Sequence, residues 1–72
     1  MTQRNTSIIP RASAGRILMK AGAKRVSADA LEAFADVIET IAREIAEKSS
    51  QIAKHSGRKT VQDGDIKIAA RQ

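Results

Sequence analysis

The chain has 72 residues, which allows one small domain, and 42% of them are hydrophobic although only Phe34 is aromatic. It has no cysteine and one histidine, which excludes disulfide bonds, thiolate metal sites and the nucleophile–base pairs of most hydrolytic enzymes. The formal net charge of +5 favours an anionic partner. An aliphatic core this small is rarely stable alone, so we expect a second chain to complete it.

A short first helix is predicted over about residues 9–21. Pro10 suits its start, since the missing N–H would be unpaired there anyway, and Gly22 suits its end. The polar, unpatterned residues before it predict a flexible tail over residues 1–8, followed by one folded domain over residues 9–72.

A long second helix is predicted from Ala28 to Ser56, a stretch without Gly or Pro in which Ser27 supplies the N-cap. Two short helices of the same chain cannot cover its apolar stripe, so we expect another copy of the chain to do so. The stripe repeats at spacings of three, four or seven residues and consists of Leu31, Phe34, Ile38, Ile41, Ile45 and Ile52.

A short third helix is predicted from about Gln62 to Arg71. Gly57 ends the long helix before it, and residues 58–61 are expected to be extended. The start of the third helix is weakly marked, because Gln62 is a poor cap and Gly64 lowers helix propensity.

The two connections between helices resemble each other, since GAKRVSADAL aligns with GRKTVQDGDI. In an antiparallel dimer, the first connection of one subunit would lie beside the second connection of the other. The positions that recur are Gly22 with Gly57, Lys24 with Lys59, and Val26 with Val61.

The charge is unevenly distributed along the chain. Residues 1–28 hold six basic residues and no acidic one, residues 29–47 hold six acidic residues and one basic, and residues 48–72 hold six basic and two acidic. Two basic flanks indicate an anion-binding face if folding or pairing brings them together. Single lysines on helices can equally be solvated surface, and GRKT is not expected to bind nucleotide phosphates because the upstream glycine of a phosphate loop is missing.

From about Ile9 to Arg71 the sequence resembles the archaeal histones. The resemblance is carried by GRIL at residues 15–18, AGAKRVS at 21–27, AKHSGRKT at 53–60, and DI at 65–66. It implies an all-α histone fold, with the order short helix–loop–long helix–loop–short helix, in an intertwined homodimer. It also implies binding to double-stranded DNA with little sequence preference, and compaction, bending or wrapping of that DNA by dimers or dimer assemblies.

The resemblance also implies roles for individual residues. Arg16 matches an arginine that enters the minor groove, and Arg58 with Asp65 matches a salt bridge inside the second connection. The surface where dimers meet would be formed by Ile52, His55, Asp65 and Ile68. Ser50 departs from the family pattern, which has an aliphatic residue there. The residues assigned to DNA contact are Arg16, Lys24, Arg25, Ser27, Arg58, Lys59 and Thr60.

These patterns predict a DNA-binding protein rather than an enzyme, without cofactor, metal or small-molecule substrate. We expect it in the cytoplasm at the chromosome, and no apolar run reaches the ~20 residues that span a bilayer. The alternative is a histone-fold interaction subunit that pairs with a different chain in a transcription or DNA-maintenance complex.

Overall fold

A computed structural model describes residues 8–71, and within that range the chain forms three α-helices and no strand. They are α1, Arg11–Lys20; α2, Ala28–His55; and α3, Asp63–Arg71. The short–long–short order confirms the predicted all-α architecture. None of these helices is long and apolar enough to cross a membrane. The boundary between tail and fold stays a prediction, because residues 1–7 lie outside the described range.

The first helix begins later than expected, because Pro10 is its N-cap and not its first helical residue. Pro10 has an extended conformation, with φ −64° and ψ 139°, and makes no side-chain cap. Its carbonyl oxygen accepts the first helical bond, from the N–H of Ala14 at 3.1 Å. Pro10 therefore orients the chain into α1 through its fixed φ.

The first two helices end in the same way, at glycines with positive φ: +120° at Gly22 and +74° at Gly57. This is the Schellman arrangement, in which a left-handed residue lets two N–H groups return to the last helical carbonyls. The bonds are Gly22 N to Met19 O and Ala23 N to Leu18 O after α1, and Gly57 N to Lys54 O and Arg58 N to Ala53 O after α2.

The chain divides into two compact units that share α2, one ending at Thr40 and the other beginning at Ile41. In the first unit, Gly15 lets α1 lie close to α2, since a Cβ there would be 3.0 Å from Cδ2 of Leu31. Two carboxylates of α2 also hold the start of the described chain: Glu39 accepts from the backbone N–H of Ile8 at 2.9 Å, and Glu32 accepts from Arg11 at 3.0 Å.

Few large side chains are buried in the single chain. Among the described residues, the fully buried hydrophobic ones are all alanines, Ala14, Ala35, Ala53 and Ala69. Alanine removes little apolar area from water, so this core contributes little stability. The large apolar side chains that stay roughly half exposed include Ile17, Met19, Val37, Ile41, Ile66 and Ile68.

Candidate nucleic-acid interface

The first connection, residues 21–27, presents two exposed basic side chains, Lys24 and Arg25, and has no acidic residue. It leads into the N-terminus of α2, where Ser27 Oγ accepts a hydrogen bond from the N–H of Ala30 at 3.1 Å. The predicted cap is therefore formed, and its hydroxyl hydrogen can still donate to another group. Free N–H groups at a helix start favour an anion, although Asp29 in the first turn offsets part of this effect.

The second connection, residues 56–62, also lacks an acidic residue and exposes Lys59 and Thr60. Its other basic side chain, Arg58, is turned onto the protein. Arg58 Nη2 donates to Oδ1 of Asp65 at 2.8 Å, and Nη1 donates to Oδ2 of Asp65 at 2.9 Å and to the backbone oxygen of Thr60 at 3.2 Å. This two-pronged bond fixes the path of the connection, and Lys59 is left as its exposed cation.

Asp65 is buried, with 5% of its side chain exposed, and holds the start of α3 as well as Arg58. Its Oδ2 accepts the backbone N–H of Gln62 at 2.9 Å, so α3 is capped by a carboxylate of its own first turn. The hydrogen bonds from Arg58, and then the one from Gln62, lower the pKa of Asp65 from its ordinary value of 3.8 to about 2, although burial acts in the opposite direction.

Arg16 is exposed on α1, and Lys20 lies one turn further along the same helix. No acidic residue occurs in α1. Arg11, by contrast, is paired with Glu32, so its charge is already partly neutralised. Of these two arginines, Arg16 is the one available to an external anion.

The residues assigned to contact between dimers all belong to the second compact unit. His55 is exposed as the last residue of α2, Ile52 is half-buried, and Ile68 is 49% exposed. Asp65 differs from them, because its three hydrogen bonds occupy most of the roughly four acceptor positions of a carboxylate. The imidazole of His55 from another chain could therefore donate a hydrogen bond to at most one remaining acceptor position of Asp65.

Lys24 and Arg25 belong to the first compact unit, and Lys59 and Thr60 belong to the second. Their meeting across a dimer stays a prediction. Within residues 8–71, no cluster of three or more His, Cys, Asp or Glu side chains is arranged to hold a metal ion.

Comparison with known proteins shows the family of the chain. Residues 8–70 match the family described as "Histone-like transcription factor (CBF/NF-Y) and archaeal histone". The chain is also similar to a subunit of the archaeal histone HAN1 of Thermococcus zilligii, with 43% identity over 63 residues. The aligned part covers 88% of this chain and 94% of that protein.

Proposed function

Since the chain belongs to the family of histone-like CBF/NF-Y transcription factors and archaeal histones, we propose that it is a chromosomal protein that binds double-stranded DNA as paired chains. It acts by binding and not by catalysis. Affinity comes mainly from charge, so binding depends little on base sequence and strongly on salt.

The observation that carries this proposal is the character of the two connections. Both expose basic side chains, Lys24 and Arg25 in one and Lys59 in the other, both lack acidic residues, and each is followed by a helix N-terminus. Lysine, arginine and helix-start N–H groups are the usual protein contacts to DNA phosphates. In an antiparallel pair of chains the two kinds of connection would form one continuous basic surface.

Arg16 and Arg58 serve different purposes in this proposal. Arg16 is exposed and reaches into the minor groove, where a narrow groove concentrates negative potential. Arg58 positions the second connection through its bonds to Asp65 and Thr60, and Lys59 and Thr60 are exposed on that connection. Arg58 therefore supports the DNA contacts and adds little to them directly.

Bending or wrapping of DNA follows if several dimers bind side by side. The proposed contact between dimers uses the half-buried Ile52 and the exposed His55 and Ile68, with Asp65 as a limited acceptor. Joining of dimers by this surface would extend the length of DNA that one assembly covers.

A second candidate function is pairing with a different histone-fold chain in a larger complex. The similar Thermococcus zilligii protein is named as one of the subunits of its histone, and the family description includes transcription factors. A preference of this chain for a different partner over itself would favour this candidate.

Neutralising Arg25 and Lys59 together tests the DNA site. We expect Arg25→Ala with Lys59→Ala to weaken binding to all duplex sequences alike. The slope of log affinity against log salt should fall by about 0.9 for each phosphate that is no longer bound. The matched control is Lys67→Ala with Arg71→Ala, which removes the same two charges from exposed positions of α3. Fluorescence titration of a labelled duplex at several salt concentrations measures both quantities.

Unchanged binding by the double variant would be the contrary result. If the double variant kept the affinity and salt slope of the unmodified chain, the connections would not be the DNA site. Circular dichroism of each variant shows that the helices are retained, so that weaker binding reports the missing charges and not unfolding.

A further inference from the structure

Met19 is a large apolar side chain that α1 exposes among its basic residues. It is 53% exposed, and it lies three residues after Arg16 and next to Lys20, both of which are exposed. Residues three or four apart share a helix face, so Arg16 lies between Met19 and Lys20 on the surface of α1. The helix contains no acidic residue. It therefore presents one thioether beside two cations.

The side of α1 that packs onto α2 is a different one. Ala14 is fully buried, and a Cβ on Gly15 would be 3.0 Å from Cδ2 of Leu31 in α2. Ile17, which is 52% exposed, points away from Met19, because residues two apart in a helix do not face the same way. A second chain that covered Ile17 would therefore leave Met19 in contact with water.

The neighbours of Met19 indicate what binds to it. Single exposed apolar side chains are common on soluble proteins and need no partner by themselves. Met19 differs because a molecule that meets Arg16 and Lys20 also meets Met19. Charge complementarity makes that molecule anionic, and the thioether favours one with apolar surface close to its charge. The minor groove of duplex DNA has both properties, since its potential is negative and its walls are the carbon atoms of the sugars.

We propose that Met19 is an apolar DNA contact, which packs against the sugar and base edges of the minor groove beside Arg16. The inference rests on the proposed function and deepens it, because it names a contact that is not a cation. Proteins that bind the minor groove combine arginine or lysine with apolar side chains, methionine among them. The unbranched side chain of methionine adapts to irregular surfaces, which suits binding that depends little on base sequence.

This apolar contact should respond to salt differently from the cationic contacts. A cation that neutralises a phosphate releases counterions, so its contribution to affinity falls as salt is raised. Burial of an apolar side chain releases no counterion. Met19 should therefore strengthen DNA binding by the same factor at low and at high salt.

Substitution of Met19 by a polar and by an apolar residue tests the proposal. Met19→Gln should raise the dissociation constant for a labelled duplex roughly 3- to 10-fold at every salt concentration and leave the salt slope unchanged. Met19→Leu is the matched control, because it keeps the apolar character, and it should bind within about twofold of the unmodified chain. Fluorescence titration at several salt concentrations measures both quantities, and circular dichroism shows that the helices are retained.

Oxidation gives an independent test, because the chain has two methionines, Met1 and Met19, and no cysteine. Hydrogen peroxide transfers one oxygen atom to the thioether sulfur: the O–O bond breaks, the sulfur loses two electrons, and the peroxide leaves as water. The sulfoxide is polar, so the oxidised chain should bind DNA as weakly as Met19→Gln, and methionine sulfoxide reductases should restore the affinity. Met19→Leu treated in the same way carries only oxidised Met1 and should keep its affinity.

Three results would overturn the inference. Met19→Gln could bind as tightly as Met19→Leu, its salt slope could fall as it does when a phosphate contact is lost, or peroxide could weaken Met19→Leu as much as the unmodified chain. Sedimentation equilibrium without DNA covers the remaining occupant, a second copy of the chain. If Met19→Gln weakened dimerisation as much as it weakened DNA binding, Met19 would belong to a contact between chains and not to a DNA contact.

Failure of this inference is distinguishable from failure of the proposed function. If Arg25→Ala with Lys59→Ala loses affinity while Met19→Gln does not, the connections bind DNA and only the role of Met19 is refuted. If the unmodified chain binds no duplex at low salt, the proposed function is refuted and the contact of Met19 with DNA is refuted with it.

Discussion

At the residue scale, Asp65 links the shape of the second connection to the start of α3. Its carboxylate accepts hydrogen bonds from the guanidinium of Arg58 and from the backbone N–H of Gln62, and it is almost wholly buried. A buried carboxylate with these partners is favourable only while it is charged, which is why its pKa is lowered. Removing the charge would release both the connection that exposes Lys59 and the first turn of α3.

Asp65→Asn should lower the free energy of unfolding at neutral pH and weaken DNA binding through the misplaced connection. The folded-state pKa lies below the ordinary value, so the stabilisation is present above 3.8 and is lost as the pH falls toward about 2. The stability difference between the unmodified chain and Asp65→Asn should therefore shrink over that range. Denaturant titrations at a series of pH values measure it.

The control for this prediction is Asp63→Asn, which changes an exposed aspartate of the same helical turn. An Asp65→Asn effect that stayed constant with pH, or that matched the Asp63→Asn effect, would show that the ion pair with Arg58 does not stabilise the fold.

At the scale of elements, the two connections are similar because the helices before them end in the same way. α1 and α2 both end in a glycine with positive φ and the same pair of backbone bonds, and each then continues into a basic segment. The recurrence of Gly, Lys and Val in the sequence therefore corresponds to a repeated helix end.

Two glycine substitutions should have opposite effects. Gly57→Ala places a Cβ at φ +74°, where nothing crowds it, so its cost is conformational and should be about 1 kcal/mol. Gly64→Ala lies inside α3, also uncrowded, and should stabilise the fold by roughly 0.5 kcal/mol. Thermal or denaturant unfolding measures the change in the free energy of unfolding for each variant. Two changes of the same sign would contradict this explanation of the helix ends.

The extent of α2 could be predicted because its signals are local: Ser27 before it, Gly57 after it, and no Gly or Pro between. The start of α3 was predicted to within one residue, but its capping bond was not, because the cap is the side chain of Asp65 and helix propensity at Gln62 does not report that bond. The exposed lysines and arginines of the connections were also readable from the sequence. The ion pair of Arg58 with Asp65 was implied by the family resemblance, whereas the ion pair of Arg11 with Glu32 is evident only from the folded chain. The open apolar groove beside the C-terminal half of α2 could not be predicted either, because it depends on how Val61 and Ile66 lie against that helix.

At the scale of the whole molecule, the exposed apolar surface and the exposed basic charge both favour pairing of chains. The single chain buries alanines and leaves Ile41, Ile66 and Ile68 about half exposed, so we expect pairing to complete the core. A pair of chains also carries each basic connection twice, so a pair should bind the phosphate backbone of DNA more tightly than a single chain does. Folding, pairing and DNA binding should therefore weaken together when the pair is disrupted.

The most direct test of this account is the mass of the complexes formed when the chain is titrated onto a short duplex and analysed by sedimentation equilibrium at low salt. We predict complexes that contain even numbers of chains, beginning with two, and that dissociate as salt is raised. A complex of one chain per duplex, or no complex at low salt, would contradict the claim that paired histone-fold chains bind DNA.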